Sequence, residues 1–232
     1  MDTEHRISRR GSLARIGGVF TSLLGAGGLE ALTAEGRGTG PAAVASGAVK
    51  CVLTPEMTEG PYFISGEQVR RNITEGRPGT ALRLRLFVVD ASTCKPLKGA
   101  TVDIWHADAG GVYSGFGAGA SSRTFMRGIQ KTDVHGLAVF DTVYPGWYMG
   151  RTVHVHVKVH LGGNVVHTGQ LFFSDTLTDT VYQASPYSAR PNRDMRNAND
   201  SIFVNGGSKS LLAVTSNAAG GYIGAITMGV NR

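Results

Sequence analysis

Arg151-Thr152-Val153-His154-Val155-His156 is the stretch of this sequence whose residue types and spacing point most directly to chemistry. Side chains at i and i+2 of a β-strand share a side. His154 and His156 therefore project together, with Val153, Val155 and Val157 on the opposite face. Two neighbouring imidazoles on a rigid strand form a metal clamp. The same spacing also occurs among solvated or core-bonded histidines, so the pair alone leaves both readings open. Two tyrosines add candidate oxygen donors. Tyr148 lies just upstream in Tyr144-Pro145-Gly146-Trp147-Tyr148, where Pro-Gly suggests a turn entering the strand. Tyr113 follows Trp105-His106-Ala107-Asp108-Ala109-Gly110-Gly111-Val112. Taken singly, each tyrosine reads first as a packing aromatic.

The elements that must position these residues are short strands separated by turn chemistry. Leu82, Leu84 and Leu86 alternate with Arg83 and Arg85, the period-2 pattern of a half-buried strand, and Phe87 to Val89 extend it. Thr101 to His106 is the next strand, followed by a Gly/Ala/Ser-rich loop from Gly115 to Ser122. Phe125 to Lys131 and Leu137 to Val143 read as a strand pair joined through Asp133-Val134-His135-Gly136. Val153 to Leu161 turns at Gly162-Gly163-Asn164 into Val165 to Phe173, the clearest hairpin of the chain. A polar segment with Pro186 and Pro191 leads to apolar runs at Ser201 to Val204, Leu211 to Val214 and Tyr222 to Val230. No sustained helical period and no internal repeat are visible. The expected fold is all-β, a β-sandwich of mainly antiparallel strands with long loops.

Taken in order, the residues resemble the intradiol ring-cleavage dioxygenases, the family of catechol, hydroxyquinol and protocatechuate dioxygenases. That family's pattern is Trp-x-x-x-x-x-Gly-x-Tyr, then Pro-Gly-x-Tyr, then Arg-x-x-His-x-His. Here it reads Trp105, Gly111 and Tyr113, then Pro145, Gly146 and Tyr148, then Arg151, His154 and His156. Thr54-Pro55-Glu56-Met57-Thr58-Glu59-Gly60-Pro61-Tyr62 is similar to the segment that opens the family's catalytic domain and borders its substrate pocket. Arg127-Gly128 and Gln170-Leu171-Phe172-Phe173 also sit where the family has similar residues. The resemblance covers roughly residues 51–205 and is closest to the secreted, single-domain branch.

That resemblance implies Fe(III) as cofactor, held by Tyr113, Tyr148, His154 and His156. Phenolate oxygen is a hard anionic donor suited to ferric iron, and imidazole suits either valence. It implies a small aromatic diol and O2 as reactants, with cleavage between the hydroxylated carbons to a muconate-type diacid. Tyr148 would leave the metal and accept a substrate proton. Arg151 would stabilise negative charge building on the ring, and Gln170 would support it. Thr58, Gly60, Pro61 and Tyr62 would border the substrate. The loop between Tyr148 and Arg151 is short, holding only Met149 and Gly150. This departs from protocatechuate dioxygenases and leaves the ring substituents open. His160 is expected beyond the metal's ligands, His106 and His167 in structural hydrogen bonds, and Trp105 in the core. Two other readings remain at this stage. One is an Fe(II) extradiol-type oxygenase, which needs a carboxylate beside two histidines; Asp103, Asp108 and Glu59 are nearby, but none falls in facial-triad spacing. The other is a secreted β-sandwich binding module without catalysis.

Composition bounds the rest. The chain has 232 residues, 41% hydrophobic and 17% charged, the balance of a globular domain. A formal charge of +6 is spread without a Lys/Arg run, which gives no sign of nucleic-acid binding and suits a weak pull on anionic aromatics. Residues 1–34 read as an export leader: Arg6, Arg9 and Arg10, a weakly apolar stretch from Ile16 to Leu29, then small residues to Ala34. Ser8-Arg9-Arg10-Gly11-Ser12-Leu13 resembles a twin-arginine signal, so a periplasmic or extracellular location is expected. The apolar stretch is too short and Gly-rich to span a bilayer, and no stable membrane anchor is expected. Residues 35–50 read as a flexible tether and 51–232 as the catalytic domain. Cys51 and Cys94 could form one bridge after export or remain two thiols. A homodimer is compatible with the sequence.

Overall fold

The Leu/Arg alternation from Leu82 becomes strand β1 (Ala81–Asp90), with Leu82, Leu84 and Leu86 buried and Arg83 turned outward. The computed structural model describes residues 53–117 and 119–232, so the leader, the tether and Cys51 lie outside the described residues. Seven further strands follow: β2 (Thr101–Trp105), β3 (Arg127–Lys131), β4 (Leu137–Val143), β5 (His154–Leu161), β6 (Asn164–Phe172), β7 (Ala213–Ser216) and β8 (Tyr222–Val230). They form two four-stranded sheets, ordered β4-β1-β8-β7 and β3-β2-β5-β6. Pairing is antiparallel except between β1 and β8, which run parallel. The all-β sandwich expected from the alternation is the fold observed.

The inner faces make one core. Leu84, Leu86 and Val88 of β1 face Val102 and Ile104 of β2, and Val155, Val157 and Val159 of β5, all fully buried. Each such side chain contributes about 1.5–3 kcal/mol of burial. β-Branched valine suits this half-buried pleated surface. It also commits the alternate positions of β5, His154 and His156, to the outer face of their sheet.

Two expectations are corrected. β3 and β4 are not a pair: β3 joins β2 and β4 joins β1, so the Asp133–Gly136 turn carries the chain from one sheet to the other. Ser201–Val204 is a short helix rather than an extended run. A seven-residue helix, α1 (Asp175–Val181), also forms where no helical period was visible. Ser174 caps it by accepting from Leu177 N–H at 3.2 Å. The second helix, α2 (Ser201–Val204), is capped by Asp200.

The outer face of the β3-β2-β5-β6 sheet is roofed by the segment 54–70. This strap is stitched down at Met57 N–H to Thr168 O (2.9 Å), Ile129 N–H to Gln68 O (2.9 Å) and Arg70 N–H to Ile129 O (3.0 Å). Phe63 packs on Trp105 with ring centroids 4.9 Å apart, and the Lys158 ammonium lies 3.7 Å from the Phe63 ring centre. Lys158 also pairs with Glu59. Trp105 is thus buried under the strap, not between the sheets.

Candidate metal centre and active site

The pleat of β5 places His154 and His156 side by side under the strap. Both are almost fully buried, and their Nε2 atoms face each other at 3.0 Å. His154 Nδ1 lies 2.7 Å from the Thr152 carbonyl, which can only accept, so Nδ1 carries the proton and Nε2 presents a lone pair. Burial pushes the His154 pKa down to about 3 and that of His156 well below its ordinary value, so both rings are neutral at working pH. Trp105 is register partner to His156 and stacks on its ring, centroids 4.9 Å apart and planes within 4°. Gly60, at φ +71°, lets the strap approach the other side: a Cβ there would lie 3.2 Å from His156 Cε1.

The two tyrosines come from loops at the same end of the sandwich. Tyr113 belongs to the β2–β3 loop, and its hydroxyl is buried without a hydrogen-bond partner. Tyr148 lies within the β4–β5 loop, its hydroxyl 3.2 Å from His154 Nε2. The two phenol rings are 5.5 Å apart edge to face, and Tyr113 is 6.1 Å from the His156 ring. Burial raises the pKa of Tyr113 far above 10 and that of Tyr148 also, Arg151 opposing the rise at Tyr148. A buried phenol in this position stays protonated unless a cation stands beside it.

These four donors fit a hard trivalent cation. The two Nε2 atoms converge at 3.0 Å, close enough for one ion to be held by both. An ion there would also satisfy the orphaned Tyr113 hydroxyl oxygen. Among the described residues no three His, Cys, Asp or Glu side chains form a metal cluster, and the further donors beside the two imidazoles are the tyrosines. Two of the nearby carboxylates, Asp108 and Glu59, are engaged elsewhere. Asp108 holds Arg77 and its own loop through Gly110 N–H and Val112 N–H. Glu59 holds Lys158, and Asp103 is buried further along β2.

Beside the donors opens a cavity of about 240 Å³ lined by Tyr62, Gly111, Val112, Tyr113, Phe116, Gly117 and Tyr148. Tyr62 stacks on Tyr113 at 4.3 Å. Of the strap residues expected at the substrate, Tyr62 lines the cavity and Gly60 abuts His156. Thr58 contributes its carbonyl to Gln170 Nε2 (2.9 Å), and Pro61 is exposed outside the lining.

Arg151 is locked from two sides. Its Nε donates to Asp200 Oδ2 at 2.8 Å and its Nη2 to Gln170 Oε1 at 2.6 Å. Asp200 escaped the sequence reading. Its Oδ2 also accepts from Thr152 N–H (2.9 Å), while Oδ1 caps α2 through Ile202 N–H and Phe203 N–H. Asn197 is a second such residue, accepting from Thr152 Oγ1 at 2.6 Å and donating to Phe173 O at 2.8 Å. Arg127, noted for its motif alone, is buried and donates to Ser114 O (2.7 Å) and Tyr62 O (2.7 Å), tying the Tyr113 loop to the strap.

Comparison with known proteins identifies the family. The family model described as Dioxygenase matches residues 58–200, a span that contains every residue of the site. The structure of an intradiol ring-cleavage dioxygenase from Tetranychus urticae is 39% identical, with a TM-score of 0.75, covering 78% of this chain and 95% of that one. The chain belongs to the intradiol ring-cleavage dioxygenase family. Another similar structure is the dioxygenase domain of a dioxygenase–carbohydrate-binding protein fusion from a cellulolytic Streptomyces, 32% identical with a TM-score of 0.60. It covers 77% of this chain and 98% of that domain. A catechol 1,2-dioxygenase of Acinetobacter lwoffii is 32% identical over 100 residues, which is 41% of this chain and 32% of that enzyme. The chain thus matches about a third of the length of that curated relative.

Proposed function

We propose that this protein is a ferric-iron intradiol dioxygenase acting on single-ring catechol-type diols, which it opens with O2 between the two hydroxylated carbons to give a diacid. The observation that carries this reading is the convergence of Tyr113, Tyr148, His154 and His156 beside an aromatic-lined cavity. Bound Fe(III) would supply the positive charge that ionises the tyrosines and the diol and makes the ring reactive toward oxygen.

The remaining work falls to the chain. Tyr62 and Phe116, in edge-to-face contact, form part of an aromatic wall, and a cavity of about 150 Å³ is enough for benzene, so about 240 Å³ admits a ring with small substituents. Among the described residues no Lys, Arg or His lines this cavity, which favours uncharged substituents over a carboxylate. Tyr148 faces both the cavity and His154, the position from which its oxygen, once ionised beside the metal, would take a proton from the incoming diol. Arg151, fixed by Asp200 and Gln170, holds a positive charge close to Tyr148 and is placed to balance charge developing on the ring. The strap keeps water from the buried imidazoles. The basic and then apolar leader supports export of the enzyme, by the twin-arginine route. Oxygen uptake with catechol, together with product analysis, tests the proposal. One O2 consumed per ring and a diacid product support it. A ring-opened aldehyde would place the cut outside the diol and favour an Fe(II) extradiol enzyme, and no uptake would favour a non-catalytic module.

A further inference from the structure

Arg190 stands outside both the donor set and the cavity lining, on the turn after the 3-10 segment Tyr187–Ala189. Its guanidinium nevertheless reaches the two loops that carry the tyrosines. Nη1 donates to Gly110 O, three residues before Tyr113, and to Trp147 O, one residue before Tyr148, the latter at 3.0 Å. The same guanidinium lies 4.5 Å from the centre of the Trp147 ring, and Trp147 Nε1 donates back to Arg190 O at 2.9 Å. Side chain, ring and backbone of this pair therefore hold one another in place.

The loops themselves are pressed together at this point. A Cβ on Gly111 would collide with the Trp147 carbonyl and lie 2.6 Å from Arg190 Nη1. A Cβ on Gly146 would collide with the Ala109 carbonyl, and Gly146 N–H donates to Asp108 O at 2.9 Å. Each loop has its own further anchors, Arg77 and Arg127 for the first, Asp194 and Asp200 for the second. What Arg190 adds is a charged bridge between them, with bonds to charged donors roughly twice as strong as neutral ones.

We propose that Arg190, braced on Trp147, is a positioning residue that sets the separation of Tyr113 and Tyr148 and with it the width of the cavity between Gly111 and Tyr148. This rests on the reading that both tyrosines serve one site. The test compares wild type with Arg190→Ala by backbone hydrogen exchange on the metal-free protein. Exchange is expected to rise about tenfold or more in both loops, 108–116 and 146–150, as one hydrogen bond to a charged group is worth about that factor. Strands β5 and β8 serve as unchanged references. A rise in one loop alone, or in neither, overturns the bridge. If Arg190→Ala does not fold, Trp147→Phe, which keeps the ring and loses the N–H, carries the same two-loop criterion with a smaller effect. On the iron-loaded protein, the tyrosinate absorption band of Arg190→Ala should shift at equal iron content, with activity per iron lowered about tenfold to a hundredfold. An unshifted band with wild-type activity also overturns the proposal. A colourless wild type would instead count against the metal reading, and the exchange result would still decide the bridge.

Discussion

Replacing Asp200 with Asn should cost both stability and activity, because one carboxylate secures three things at once. Its side chain is 1% exposed, accepts from Arg151 Nε and Thr152 N–H on one oxygen, and caps α2 with the other. Burial alone would raise its pKa. The hydrogen bonds from Arg151, Phe203 N–H and Thr152 N–H outweigh burial and hold the pKa below the ordinary carboxylate range. Asn keeps the shape but turns an NH2 toward donors on one side or the other, and leaves Arg151, only 18% exposed, without its counter-charge. Removing one partner of such a pair costs about 3–5 kcal/mol when fully buried, so about 3 kcal/mol is expected here. For a chain of this size that lowers Tm by roughly 6–12 °C. The sign with pH follows from the depressed pKa. The carboxylate's contribution is present above the unfolded value of about 3.9 and is lost as pH falls through the folded value. Wild type and variant should therefore differ most near pH 7 and converge as pH falls through the depressed folded-state value. Thermal melts across pH, paired with oxygen uptake, measure both effects. A Tm change under about 2 °C at pH 7 with full activity would refute the assignment of Asp200 as the anchor of Arg151.

Two further substitutions probe the strap and the sheet beneath it. Asp103 is buried with Oδ1 unpartnered, and burial, reinforced by Glu67, raises its pKa to about 7. A raised carboxyl pKa stabilises the fold at low pH and withdraws that support as pH rises toward 7. Asp103→Asn should thus raise Tm at pH 8 by an amount worth a few kcal/mol and change little at pH 4, and equal melting curves at pH 8 would contradict it. Gly60→Ala forces an L-residue to φ +71° with its Cβ 3.2 Å from His156 Cε1. A stability loss of about 1–2 kcal/mol is expected, with weakened iron retention measured by metal analysis after dialysis. Unchanged iron content would show that the strap does not support His156.

Much of the fold was legible because its strands obey period 2. The Leu/Arg alternation of β1 and the Val/His alternation of β5 each assign every side chain to a face. The pairing of β3 with β4 was misread because a short Asp-x-x-Gly turn looks the same whether it closes a hairpin or crosses between sheets. Only the burial of both strands against different neighbours decides between them. Helix α1 was invisible because its three threonines carry weak helical propensity. It forms through the Ser174 cap and the packing of Thr178 and Val181 against the core. The histidine pair and the tyrosines could be read from spacing and resemblance, since their chemistry is local to a strand and its flanking loop. Asp200 and Arg190 could not. Each acts on residues more than 40 positions away, through contacts that exist only once the 187–204 segment folds back on the Tyr148 loop.

The central claim is that two tyrosinates and two histidines hold ferric iron at the end of β5. The most direct test is the visible spectrum of the protein loaded with Fe(III), recorded with and without catechol in the absence of oxygen. A broad tyrosinate-to-iron charge-transfer band is predicted, which should weaken in Tyr113→Phe and shift to a new envelope when catechol binds. An iron-containing protein without that band, or one whose band is indifferent to catechol, would contradict the account.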